Sequence, residues 1–155
     1  MLILALVIGI VAGLRALTAP AAIAWAAFGG TLALDGSPLL FFAWRYTPWV
    51  LTVLAAGELV TDQLPSTPSR KVPVQFAARI VSGALCGAAI GIGRGAGLAG
   101  LALGIAGAVI GTLGGAAARA RLAAAFGRDM PAALIEDAVA IGLAAVVAMS
   151  FAAVI

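Results

Sequence analysis

The sequence predicts an all-α integral membrane protein, a compact bundle of about five transmembrane helices forming one domain over residues 1–155. Three observations carry that prediction. The chain is 64% apolar and only 10% charged, whereas soluble domains are about half apolar and a quarter charged. A soluble core of this size cannot hide that much apolar surface, so lipid must cover it. The apolar runs are also continuous and rich in Ala, Leu and Gly, unlike the ~10-residue alternating segments of a membrane barrel. Finally, each run is long enough, or nearly so, for a hydrocarbon core of about 30 Å.

Composition also excludes chemistry. The chain has no histidine, which removes imidazole metal ligands, histidine general bases and any Ser-His-Asp triad. Its one cysteine, Cys86, lies in an apolar run. It can form no intramolecular disulfide and reads as a small buried residue. No haem, zinc or nucleotide is expected, and the net charge of +3 reads as cytoplasmic loop charge rather than a nucleic-acid surface.

The first apolar run covers about residues 2–28, interrupted by Arg15 near its middle and Pro20 just beyond. No Lys or Arg precedes it and no cleavage site reads clearly after it, so it is expected as an uncleaved first membrane helix. Gly29, Gly30, Asp35, Gly36, Ser37 and Pro38 supply turn chemistry. The aromatic-dense stretch 39–49 (Phe41, Phe42, Trp44, Tyr46, Trp49) suits an interfacial belt. Further spans are predicted at about 48–64, 74–93, 96–118 and 131–155. If spans alternate, Arg70, Lys71, Arg119, Arg121 and Arg128 share the N-terminal side, against Arg45 and Arg94 opposite. That bias predicts a multi-pass protein of the bacterial inner (cytoplasmic) membrane, with its N-terminus cytoplasmic.

Glycines recur at helical spacing: Gly83, Gly87 and Gly91, then Gly100, Gly104, Gly107, Gly111 and Gly115. Such ridges let helix backbones approach where no hydrophobic force drives association. They also make a homo-oligomer, a dimer foremost, a plausible assembly. Gly95-x-Gly97-x-x-Gly100 spells a dinucleotide-binding fingerprint, but no strand precedes it, so the match is rejected. Gly9-x-x-x-Gly13-x-Arg15 resembles Gly111-x-x-x-Gly115-x-x-x-Arg119, and each is followed by a span with two acids. This predicts a weak inverted repeat in which the first and fourth spans run in opposite directions.

The chemistry concentrates at Glu58-x-x-x-Asp62-x-x-Pro65. Carboxylates at i and i+4 share one helix face, and inside hydrocarbon they require an answer. At 1.5 Å per residue, Glu58, Arg79 and Glu136 fall roughly 8–10 Å inside one membrane edge, with Arg15 deeper. Glu58, Asp62, Glu136 and Asp137 are therefore candidates for binding an ion or small charged solute. Arg15, Arg79 and Arg119 are counter-charges or anion-binding groups, and Arg121 lies near them. Glu58 with Asp62 is also the candidate pair for a hard cation. The loop after Pro65 offers Ser69, Arg70 and Lys71 to a lipid headgroup. The bland alternatives are interfacial solvation, helix-dipole compensation by Glu136 and Asp137, and ion pairs that only fix helix register.

Gly13-Leu14-Arg15-Ala16, the 57–65 element, Ala78-Arg79, the glycine-rich fourth span and Glu136-Asp137 together resemble a bacterial membrane family, the domain of unknown function numbered 4126. The resemblance covers nearly the whole chain and implies a small multi-span membrane protein without implying an activity.

These observations lead to a small transporter or channel-like protein whose intramembrane carboxylate and arginine site takes a proton, a hard cation or a small charged solute. The alternatives are a protein that binds or processes anionic lipid or lipid phosphate, and a non-catalytic helical assembly factor. Short loops and the lack of a histidine or obvious nucleophile weigh against an enzyme.

Overall fold

The computed structural model describes residues 2–62 and 72–152. Six α-helices follow in order: α1 (Leu2–Leu14), α2 (Thr18–Phe28), α3 (Thr47–Thr61), α4 (Pro73–Ile92), α5 (Gly97–Phe126) and α6 (Asp129–Ala152), with a 3₁₀ helix at Leu40–Ala43 between α2 and α3. No strand occurs among the described residues. Local chemistry sets the ends. Pro48 and Pro73 open α3 and α4, where a missing N–H costs nothing. Gly127 closes α5 in the left-handed conformation (φ 70°), so the chain reverses into α6 at once. Helices α4, α5 and α6 are long and apolar enough to cross a membrane, whereas α1, α2 and α3 are shorter.

The glycines fix how the long helices pair. A Cβ on Gly83, Gly87 or Gly91 would strike the backbone of Gly104, Gly100 or Ala96 respectively, so α4 and α5 run antiparallel in direct backbone contact. Gly9 meets Gly104 and Gly13 meets Ala108 and Thr112, so α1 runs parallel to α5. Helix α2 runs with α4, since Ala16 meets Ser82 at one end and Leu32 meets Gly93 at the other. Trp25 pairs with Thr52 and Trp49 of α3, and Leu17 with Glu58, so α2 and α3 are antiparallel. Core side chains include Ile8, Ile23, Phe42, Ile90 and Val147. Leu98, Val74 and Val53 lie largely exposed, as a lipid-covered surface requires.

Two expectations change. The run 2–28 is not one crossing: α1 ascends, the chain turns at Arg15-Ala16-Leu17, and α2 descends beside it. A charge within a long apolar run gave no sign of reversal, because glycine and proline, the usual turn residues, are missing from the tip. The proposed repeat also fails in the form expected, since α1 and α5 run in the same direction. The ridge glycines from Gly83 to Gly111 pack against backbone within the chain.

Alanine at Gly104 must therefore push α4 away from α5. Gly104→Ala is expected to cost about 1–3 kcal/mol or more, read as a lowered thermal midpoint in detergent. Gly142→Ala, which meets nothing within 4 Å, leaves the midpoint within error of the parent or slightly higher.

Candidate functional site

The turn between α1 and α2 creates the site's demand. A reversal of helical backbone strands carbonyls at one helix end and N–H groups at the start of the next, and hydrocarbon offers no water to satisfy them. Neighbouring helices do so instead. From α3, Glu58 accepts the N–H of Ala16 at 2.7 Å and of Leu17 at 2.8 Å, one on each carboxylate oxygen. From α4, Arg79 Nη1 donates to the carbonyls of Gly13 (3.0 Å) and Leu14 (2.6 Å). Ser82 Oγ donates to Ala16 O at 2.5 Å, and Thr112 Oγ1 of α5 to Gly13 O at 3.2 Å. The carboxylate thus faces the positive end of α2 and the guanidinium the negative end of α1, the favourable sense for each dipole.

Arg15 at the tip is wholly buried. Its Nε donates to Asp137 Oδ1 at 2.6 Å, and Nη2 lies 2.5 Å from the same oxygen. Its Nη1 pairs with Asp62, and Glu136 Oε2 is 4.0 Å from Nη2. Arg79 Nη2 stands 3.5 Å from Asp62 and 3.8 Å from Glu58. Arg119 extends the network outward, 3.5 Å from Glu136 and fork-paired to Asp129 at 2.9 and 2.5 Å. Side-chain exposure rises along this path, from 0% at Arg15 through 6% at Glu136 to 60% at Asp129. The network therefore leads from the bundle interior to one end of the molecule.

All seven intramembrane candidates, Arg15, Glu58, Asp62, Arg79, Arg119, Glu136 and Asp137, meet here. Arg121 is exposed and outside the network, while Ser69, Arg70 and Lys71 lie outside the described residues. Asp129 is a member that the sequence reading missed, although an acid two residues before Pro131 is an ordinary helix-start signal. Ser82 and Thr112 were missed as well, since hydroxyls that satisfy backbone leave no spacing pattern. Among the described residues no three His, Cys, Asp or Glu side chains gather as a metal would need. Glu58 spends both oxygens on backbone, so nothing here supports a hard-cation site on Glu58 and Asp62. Among the described residues, the network joins Glu58, Asp62, Asp129, Glu136 and Asp137 to Arg15, Arg79 and Arg119.

Two apolar grooves flank these helices. One, of about 620 Å³, is lined by Phe41, Trp44 and Val50 with Ala78 and Leu85 of α4. The other, of about 370 Å³, lies between α2, α3 and α6. No family model, no curated protein and no solved structure matches this chain.

Because Glu58 holds amide N–H groups and Arg79 holds carbonyls, their roles are not exchangeable. Glu58→Ala is expected to lose stability by about 1–3 kcal/mol and Glu58→Gln by less, measured by detergent unfolding. The double swap Glu58→Arg/Arg79→Glu is expected to be worse than either single change, whereas a simple ion pair would be rescued by it.

Proposed function

We propose that this chain is a small proton-handling transport protein of the bacterial inner membrane and a member of family 4126. The observation that supports the reading is a connected series of carboxylates, Asp62, Asp137, Glu136 and Asp129, bridged by Arg15 and Arg119 and running from the buried interior to an exposed end. Chains of acids and bases inside a membrane bundle are the usual material of a proton relay. Glu58 is committed to the turn, which leaves Asp62, Glu136 and Asp137 as the groups of the relay. Arg15 and Arg79 hold these carboxylates in line, and Asp129 with Arg119 forms the entrance. A proton suits this geometry better than a hard cation, which needs several convergent oxygens.

The end of the bundle that carries the network also holds Arg119, Arg121 and Arg128. We assign it to the cytoplasm by its positive charge. Since α1 ascends toward that end, its start lies on the opposite face, the reverse of what five alternating spans imply.

A second reading, a helical assembly whose charges only secure a turn, draws support from the clamp that Glu58 and Arg79 form on backbone. Proteoliposomes loaded with a pH-sensitive dye separate the two. Glu136→Gln, which leaves the turn untouched, should slow proton movement at least tenfold with an unchanged melting midpoint. Proton movement equal to that of empty vesicles in the parent protein, or equal in parent and variant, would leave the assembly reading standing.

A further inference from the structure

The larger groove, of about 620 Å³, contains no member of the charged network. It is walled by Pro20 of α2, by Phe41 and Trp44 of the stretch before α3, by Val50 of α3, and by Val81 and Leu85 of α4. No charged side chain lines it. The hydroxyls of Ser82 and Thr47 in its wall donate to Ala16 O and Phe41 O, so neither proton is offered to a ligand. Phe41, Val50 and Val81 are 48%, 55% and 57% exposed, which opens the groove on the flank of the bundle. An apolar cleft with that opening suits hydrocarbon and not a polar solute.

Its length is that of one leaflet. Thr47 lines one end, and Leu17, whose N–H is held by Glu58, lines the other. Glu58 stands eleven residues beyond Thr47 on α3, about 16 Å of helix. A hydrocarbon core of about 30 Å has leaflets of nearly that depth.

A cation stands at the Thr47 end. The Arg45 guanidinium lies 5.7 Å from the centre of the Tyr46 ring, and that ring is part of the groove wall. Trp44, another wall residue, packs edge-on against Tyr46 at 5.6 Å. Rings of this kind, apolar with one N–H or O–H donor, settle where headgroups meet hydrocarbon. Arg45 is exposed, and no carboxylate pairs with it among the described residues.

We propose that the groove holds one acyl chain of an anionic phospholipid whose phosphate pairs with Arg45. The chain runs from Trp44 inward toward Leu17, in the leaflet at the end of the bundle opposite the charged network. A soluble phosphate would leave the groove unused, and a neutral apolar molecule would leave Arg45 unused. A zwitterionic headgroup carries its own ammonium beside the phosphate, so Arg45 favours the anionic lipid. The inference goes beyond the transport reading and holds or fails independently of proton movement.

The test titrates the full chain in detergent with phosphatidylglycerol and, separately, with phosphatidylcholine of identical chains, read by native mass spectrometry. One phosphatidylglycerol is expected to bind about fivefold tighter than phosphatidylcholine, the discrimination one basic residue supplies near a headgroup. Arg45→Gln should bring the two lipids to equal affinity with an unchanged melting midpoint. Val81→Trp, which fills the groove from its exposed wall, should weaken both at least tenfold. The double variant Arg121→Gln/Arg128→Gln, altered at the opposite end, should keep the preference. Equal affinities in the parent, a preference that survives Arg45→Gln, a preference lost in the double variant instead, or unaltered binding to Val81→Trp would overturn the proposal. If Val81→Trp fails to fold, the Arg45→Gln comparison still decides it.

Discussion

Backbone reversal inside an apolar bundle is the constraint from which the polar architecture follows. Once the chain turns at Arg15-Ala16-Leu17, its carbonyls and N–H groups need partners, and α3, α4 and α5 each contribute one or two. The acid falls on N–H groups and the base on carbonyls. Arg15 itself is then carried inside, where two more carboxylates from α3 and α6 meet it. Charges that look extravagant in a membrane protein are here the solvent of a turn. What the turn does not explain is the extension of the network beyond it, through Glu136, Arg119 and Asp129, and that extension is where the functional reading begins.

The bundle divides into parts held by different forces. Helices α1, α4 and α5 touch backbone to backbone through Gly9, Gly13, Gly83, Gly87, Gly100 and Gly104, a contact with almost no side chain to rearrange. Helices α2 and α3, by contrast, meet through Trp25, Trp49 and Thr52. Two apolar grooves lie along this second, side-chain-mediated layer, and α4 walls the larger of the two through Ala78, Val81 and Leu85.

Much of this was legible in the residues. Apolar continuity marks the helices, Pro48 and Pro73 mark two starts, and the rarity of charge in such a chain singles out Arg15, Glu58, Arg79 and Glu136. The reversal at Arg15 was not legible, because Arg-Ala-Leu carries no turn chemistry and is held in place by side chains 41 to 122 residues away. The same distance hides the role of Glu58, which resembles a free ligand in sequence and is a backbone acceptor in space.

The span between Arg15 and Asp137 has a further consequence. Asp62 follows Arg15 by 47 residues and Asp137 by 122, so the arginine leaves the ribosome before either counter-ion has been synthesised. A hairpin with an unanswered guanidinium at its tip is poorly suited to settle among lipid tails. The first hairpin therefore gains its buried partners in two instalments, from the end of α3 and then from α6, and a nascent chain truncated before α6 would leave the pairing with Asp137 unmade.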